Sequence, residues 1–140
     1  MIKSAGFLAL RLCVGVLLIH HGYEKFANPE NFADAFIRPL HLPFPVVLAY
    51  LAASSEVLGS WLLITGLATR AGALAIFTTV SFAIYHALMT SGFNIYLVEL
   101  LGLYWGAALC LMLNGGGMFS FDYLILRNNV SLQRRIDELT

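Results

Sequence analysis

Six side chains in this sequence are of types that do chemistry and stand where apolar residues would be expected: Arg11, His21, Lys25, Glu56, His86 and Glu99. Each lies within or at the edge of a long apolar run. An ionisable group in hydrocarbon is costly, so it pairs with another, lines a polar cavity or serves a ligand. Arg11 lies about 6 residues from one end of its run, roughly 9 Å deep, and Glu56 about 11 residues from the same end of the next, roughly 16 Å deep. A long arginine side chain bridges that difference, so an Arg11–Glu56 pair is expected, either locking two helices or serving a ligand. His21, His86 and Glu99 form a second group near the opposite ends of their runs, at similar depth. They could relay protons or bind a polar headgroup in a cavity beside Tyr85, Tyr96 and Tyr104. His21 and His86 could also serve as the axial ligands of a b-type haem, although their depth near a surface suits this poorly. His20 points about 180° away from Arg11 and is left out of the site.

The elements that must position these groups follow from composition. Of the 140 residues 59% are apolar and 11% charged, under half the charged share of about 25% in soluble domains. Such a chain must dissolve in lipid. At about 20 residues per crossing, its length accommodates four spans and no separate soluble domain. Hydropathy places the spans at about 5–23, 46–67, 71–89 and 95–113 in a single domain over 1–140, with a tail over 114–140. The expected class is all-α: an integral membrane four-helix bundle. All four prolines, Pro29, Pro39, Pro43 and Pro45, fall between spans one and two. Within that loop Asn28-Pro29-Glu30 reads as a helix start, Asn28 as N-cap and proline at the first position. A short interfacial helix should follow, with Phe32, Ala35 and Phe36 on one face. The first span carries an arginine and lacks a small-residue cleavage site before Tyr23, unlike a signal peptide.

Four spans put both termini on one side. Lys3, Arg70, Arg127, Arg134 and Arg135 share that side, against Lys25 and Arg38 opposite. The positive-inside rule then directs the termini to the cytoplasm across an inner membrane. The tail Ser131–Thr140 reads as a short amphipathic surface helix. Zero net charge argues against a nucleic-acid partner. Cys13 and Cys110 form no C-x-x-C pair and read as small packing residues. No metal ligand set or catalytic triad is present, and no catalytic residue is assigned. Arg11, Gly15, Gly22 and Lys25 share a stripe on span one. Glu56, Gly59 and Gly66 share another on span two, and Glu99, Gly102 and Gly106 a third on span four. Small residues beside ionisable ones mark faces where helices approach closely.

These runs carry a resemblance. Arg11-Leu-Cys-Val-Gly15 followed by His21-Gly22-Tyr-Glu-Lys25-Phe26 resembles the first helix of the DoxX family. So does Glu56-Val-Leu-Gly59, continued by Leu63-Ile-Thr-Gly66-Leu-Ala-Thr-Arg70. Gly115-Gly-Gly117-Met-Phe-Ser120-Phe-Asp122 is similar to the family's G-x-G-x-x-S-x-D after the last span. The resemblance implies a bacterial four-helix membrane protein. The family includes small subunits of quinone-linked oxidoreductases, such as thiosulfate:quinone oxidoreductase, and members linked to redox or sulfur stress. Without paired cysteines, dithiol exchange as in thiol-handling relatives is not expected. Two readings remain beside the haem one: an accessory subunit of a membrane oxidoreductase that contacts quinone or a partner, or a structural subunit of a larger complex. The bilayer and other membrane subunits are the expected partners, a second copy of the chain among them. The sequence requires no cofactor, and independent enzyme activity is not expected.

Overall fold

A computed structural model describes residues 2–90 and 94–128. Four long helices dominate it: α1 (Ile2–Ala27), α3 (Pro45–Thr65), α4 (Thr69–Thr90) and α5 (Ile95–Asn114), with α2 (Pro29–Phe32) in the first connection. They contain 26, 21, 22 and 20 residues, or about 30–39 Å at 1.5 Å per residue, enough to cross a bilayer core. Each is apolar enough to do so. This is the four-span all-α architecture that the hydropathy pattern dictates. Successive long helices run in opposite directions. One end of the bundle carries the start of α1, the α3–α4 turn and the segment after α5, and is called here the terminal end. The other carries the proline-rich connection and is called the proline end.

Local chemistry sets the helix ends. Gly66 stops α3 by turning left-handed at φ 73°, its N–H returning to Leu62 O at 2.9 Å, as a glycine C-cap does. Span two therefore ends just before the expected Leu67. Pro29 and Pro45 each occupy a helix's first turn, where the missing N–H costs nothing. Asn94 caps α5 by accepting from Leu97 N–H. Asn28 precedes α2 as expected, but its side chain makes no cap hydrogen bond. The expected surface helix over Ser131–Thr140 lies outside the described residues.

The connection is less regular than one amphipathic helix. After α2 the backbone widens into a π turn over Ala33–Ile37, then tightens into a 3-10 turn over Arg38–Leu40. The wide turn rephases the faces by a residue. Ala33 and Ile37 are buried, with Ala49 of α3 in the same cluster. Of the residues expected to share the apolar face, Phe32 and Phe36 stack at 4.8 Å between ring centroids, but only Phe32 is partly buried, Ala35 and Phe36 being exposed.

Glycines determine which helices touch. A Cβ on Gly15 would stand 2.7 Å from Ile64 Cγ1, and one on Gly22 2.6 Å from Val57 Cγ2. α1 therefore lies directly on α3. Gly59 and Gly72 bring α3 equally close to α4, a Cβ on Gly59 meeting Gly72 O at 3.0 Å. α5 packs chiefly on α4, with Phe77 and Trp105 in ring contact and Trp105 Nε1–H donating to Ser81 Oγ at 3.0 Å. Val14, Leu18, Leu63, Ala73, Ile76, Val80, Ala108 and Leu111 close the centre. Large apolar side chains such as Leu58, Leu103 and Phe82 cover the outside, the arrangement expected where the surrounding solvent is lipid.

Candidate functional site

Two buried polar centres lie along the α1–α3 contact, one toward each end. In the first, Lys25 Nζ donates to Glu56 Oε1, the two side chains being 16% and 6% exposed. Phe32 roofs the ammonium, which sits 4.9 Å from its ring centroid, a cation–π contact. Glu56 Oε2 and, one turn further along α3, Ser60 Oγ are buried without a hydrogen-bond partner among the described residues.

The expected Arg11–Glu56 pair does not form. Gly22 of α1 sits opposite Val57 and Glu56, and Gly15 opposite Ser60 and Ile64. This antiparallel register leaves Arg11, one turn further on, opposite the end of α3. Side-chain direction completes the separation. Cα–Cβ bonds tilt toward a helix's N-terminus, so Arg11 leans toward the terminal end, away from Glu56. Lys25, on the same helix, leans inward from the proline end, and Glu56, on the antiparallel α3, leans outward to meet it.

Arg11 anchors the second centre and is only 1% exposed. Its Nη2 donates to Phe119 O at 2.8 Å. Its Nη1 occupies the place where a Cβ on Gly66 would stand, so glycine is required there on two grounds, left-handed φ and contact. Asp122 reaches back across the turn after α3. Its Oδ1 accepts from Ala68 N–H at 2.6 Å and its Oδ2 from Thr69 N–H at 2.8 Å, while its own N–H donates to Gly66 O at 3.0 Å. The carboxylate thus caps α4 from 53 residues away, supplying both acceptors and a charge that complements the helix dipole. It also holds Ala68 in a left-handed conformation at φ 47°, unfavourable for a residue with a Cβ. Ser120 Oγ–H donates to Gly117 O at 2.6 Å and fastens the turn that delivers Phe119 and Asp122. Arg11 Nε, Arg11 Nη1 and Thr69 Oγ1 are buried without a hydrogen-bond partner among the described residues. Beside this centre a groove of about 310 Å³ is lined by Thr65, Met118, Phe119, Ser120, Phe121 and Leu124.

His21, His86 and Glu99 do not contact one another among the described residues. His21 Nδ1 is 3.6 Å from Glu24 Oε2, and its ring lies 4.0 Å from that of His20. His86 rests on Phe36, centroids 5.0 Å apart, and reaches Thr90 Oγ1. Among the described residues no cluster of three or more histidine, cysteine or acidic residues could hold a metal ion. Glu99 is exposed on α5, as are Gly102 and Gly106. Their stripe is expected at a close helix contact, but among the described residues nothing lies within 4 Å of a Cβ built on either glycine. Leu101, Tyr104, Trp105, Ala108, Leu111 and Met112 form the face of α5 at the core, because their bulk fills the centre and leaves the small face outward. Cys13 is likewise exposed rather than an interior packing residue, and Cys110 is half-buried.

The sequence reading gave no individual role to Ser60, Thr69, Phe119, Ser120 or Asp122. Ser120 and Asp122 stood within the G-x-G-x-x-S-x-D run, the one signal that could have marked them. Phe119 acts through its backbone carbonyl, which residue type cannot reveal.

A quinone, which the resemblance implies, does not suit the Lys25–Glu56 centre. The ring would need a slot between α1 and α3, yet the contacts of Gly15 and Gly22 leave no room there for one methyl group. These residues do not fit a quinone.

The fold is that of a multi-pass helical membrane protein with its polar groups held on an α1–α3 seam. More narrowly, the chain belongs to the DoxX family, whose model matches residues 6–91, taking in α1 through α4. No curated protein and no solved structure matches the chain.

Proposed function

We propose that this chain is an accessory subunit of a quinone-linked membrane oxidoreductase, seated against a transmembrane helix of its partner through the outer face of α5. The observation that carries the reading is that face. The spanning window of α5 is 11% buried, against 28–33% for the other three helices. It presents Glu99, Gly102 and Gly106 outward. Each glycine in a helix costs about 1 kcal/mol relative to alanine. At Gly15, Gly22, Gly59 and Gly72 close helix contact offsets that cost, and at Gly102 and Gly106 the described residues supply no such contact. A carboxylate one turn into a spanning helix also calls for a donor. A partner helix with a donor at the depth of Glu99 satisfies both needs.

The oxidoreductase class comes from the DoxX resemblance. Because the α1–α3 seam does not fit a quinone, the quinone site belongs to the partner in this reading, and no step is routed through this chain. We place the protein in the inner membrane with both termini in the cytoplasm, on the distribution of lysine and arginine.

A photocrosslinking residue at Gly102, followed by gentle extraction and mass spectrometry, tests the reading. Crosslinks to a subunit carrying a redox cofactor are expected, and Gly102→Leu should abolish co-purification. Crosslinks to lipid alone would overturn it. Crosslinks only to redox-inactive subunits would replace it with a structural role, and self-crosslinks would show a homo-oligomer.

A further inference from the structure

The second buried centre has a feature that the capping of α4 does not use. Arg11 Nε and Nη1 and Thr69 Oγ1 are buried and find no hydrogen-bond partner among the described residues. A guanidinium with unused N–H groups is a set of donors, the Thr69 hydroxyl adds one more near the same Ser120, and together they call for an oxygen-rich acceptor. Charge distribution agrees. Among the described residues, the terminal end carries Lys3, Arg11, Arg70 and Arg127 against Asp122, whereas the proline end carries Lys25 and Arg38 against Glu24, Glu30, Asp34, Glu56 and Glu99. An anion is therefore favoured at the end where Arg11 lies.

The groove supplies the rest. Thr65, Phe119 and Ser120 belong both to its lining and to the immediate surroundings of Gly66 and Arg11. Its other walls, Met118, Phe121 and Leu124, are apolar and about half exposed. They belong to a run, Met118 to Leu126, whose exposed side chains are almost all apolar and which follows the last span directly. Such a run rests at the membrane surface. Arg11 is level with the end of α3, its Nη1 lying against Gly66.

We propose that this centre and its groove bind one anionic phospholipid, the phosphate oxygens accepting from Arg11 and Thr69 and an acyl chain lying along Met118, Phe121 and Leu124. Basic recesses between transmembrane helices bind anionic headgroups on the same principle. Because Arg11 is sealed, binding requires the segment at Phe119, whose carbonyl holds Arg11, to yield. Asp122 stays on α4, where its two backbone bonds hold it.

The test uses the full chain, purified in detergent and stripped of lipid. Thermal melts are recorded with phosphatidylglycerol, phosphatidylcholine or inorganic phosphate, and retained lipid is counted by native mass spectrometry. Phosphatidylglycerol should raise Tm and be retained at one molecule per chain, with phosphatidylcholine and phosphate having little effect. Arg11→Gln should weaken phosphatidylglycerol binding about tenfold or more. Arg11 also holds Phe119, so Leu124→Trp serves as the second variant. It fills the groove from an exposed position, and should abolish the lipid shift without changing Tm in lipid-free detergent. Equal shifts with both lipids, or phosphatidylglycerol retained by Leu124→Trp, would overturn the proposal. A full shift from inorganic phosphate would overturn the lipid and leave a free-anion site.

Discussion

Removing the ammonium from Lys25 tests whether the α1–α3 seam is held as described. Lys25→Met keeps the length and apolar stem of the side chain but leaves Glu56 as a carboxylate 5% exposed, with one oxygen already lacking a partner. Breaking a buried pair from one side costs about 3–5 kcal/mol, because the remaining charge is uncompensated. Each kcal/mol lowers Tm by about 3–4 °C for a chain of this size, so a fall of roughly 10–20 °C is expected. Glu56→Gln keeps the shape and leaves the ammonium 16% exposed and over Phe32, so its loss should be smaller. The double variant Lys25→Met with Glu56→Gln removes both charges and should recover much of the loss, a non-additivity diagnostic of direct contact. Thermal melts of the three variants in one detergent supply the cycle. Strictly additive effects, or a Lys25→Met shift under about 2 °C, would refute the pairing and the register that produces it. Arg11→Leu should show no coupling to Glu56→Gln, since the two residues belong to separate centres.

Three further outcomes follow from the same geometry. Asp122→Ala removes both acceptors from the start of α4 and should cost about 2–3 kcal/mol, Asp122→Asn less, seen as a lower Tm and faster proteolysis at residues 66–68. Gly22→Ala puts a methyl 2.6 Å from Val57 Cγ2 and should destabilise by about 1–3 kcal/mol, whereas Gly102→Ala should leave the isolated chain unchanged or up to about 1 kcal/mol more stable; equal effects in melts would contradict the packing. Cysteine labelling in intact cells should reach Asn31→Cys from outside and Arg70→Cys only after the membrane is opened, and the reverse pattern would invert the orientation.

The sequence by itself determined the four-helix membrane architecture. Four runs of about 20 apolar residues have no other way to satisfy their backbone groups in lipid, and the clustered prolines could only stand between helices. It also marked Lys25 and Glu56 as residues needing partners, because ionisable groups in an apolar run are conspicuous. Which partner each takes was decided only by the tertiary structure. A depth count along separate spans carries no register between them, and it ignores the lean of side chains toward each helix's N-terminus. Both effects draw Arg11 to Phe119 O and Lys25 to Glu56. Glycine stripes are equally ambiguous in one dimension: Gly22 and Gly102 read alike, and only the bulk of Tyr104 and Leu111 on the opposite side of α5 sends Gly102 outward. The capping of α4 by Asp122 was the least legible feature, because a carboxylate 53 residues away reaches a helix start only after the whole bundle has closed.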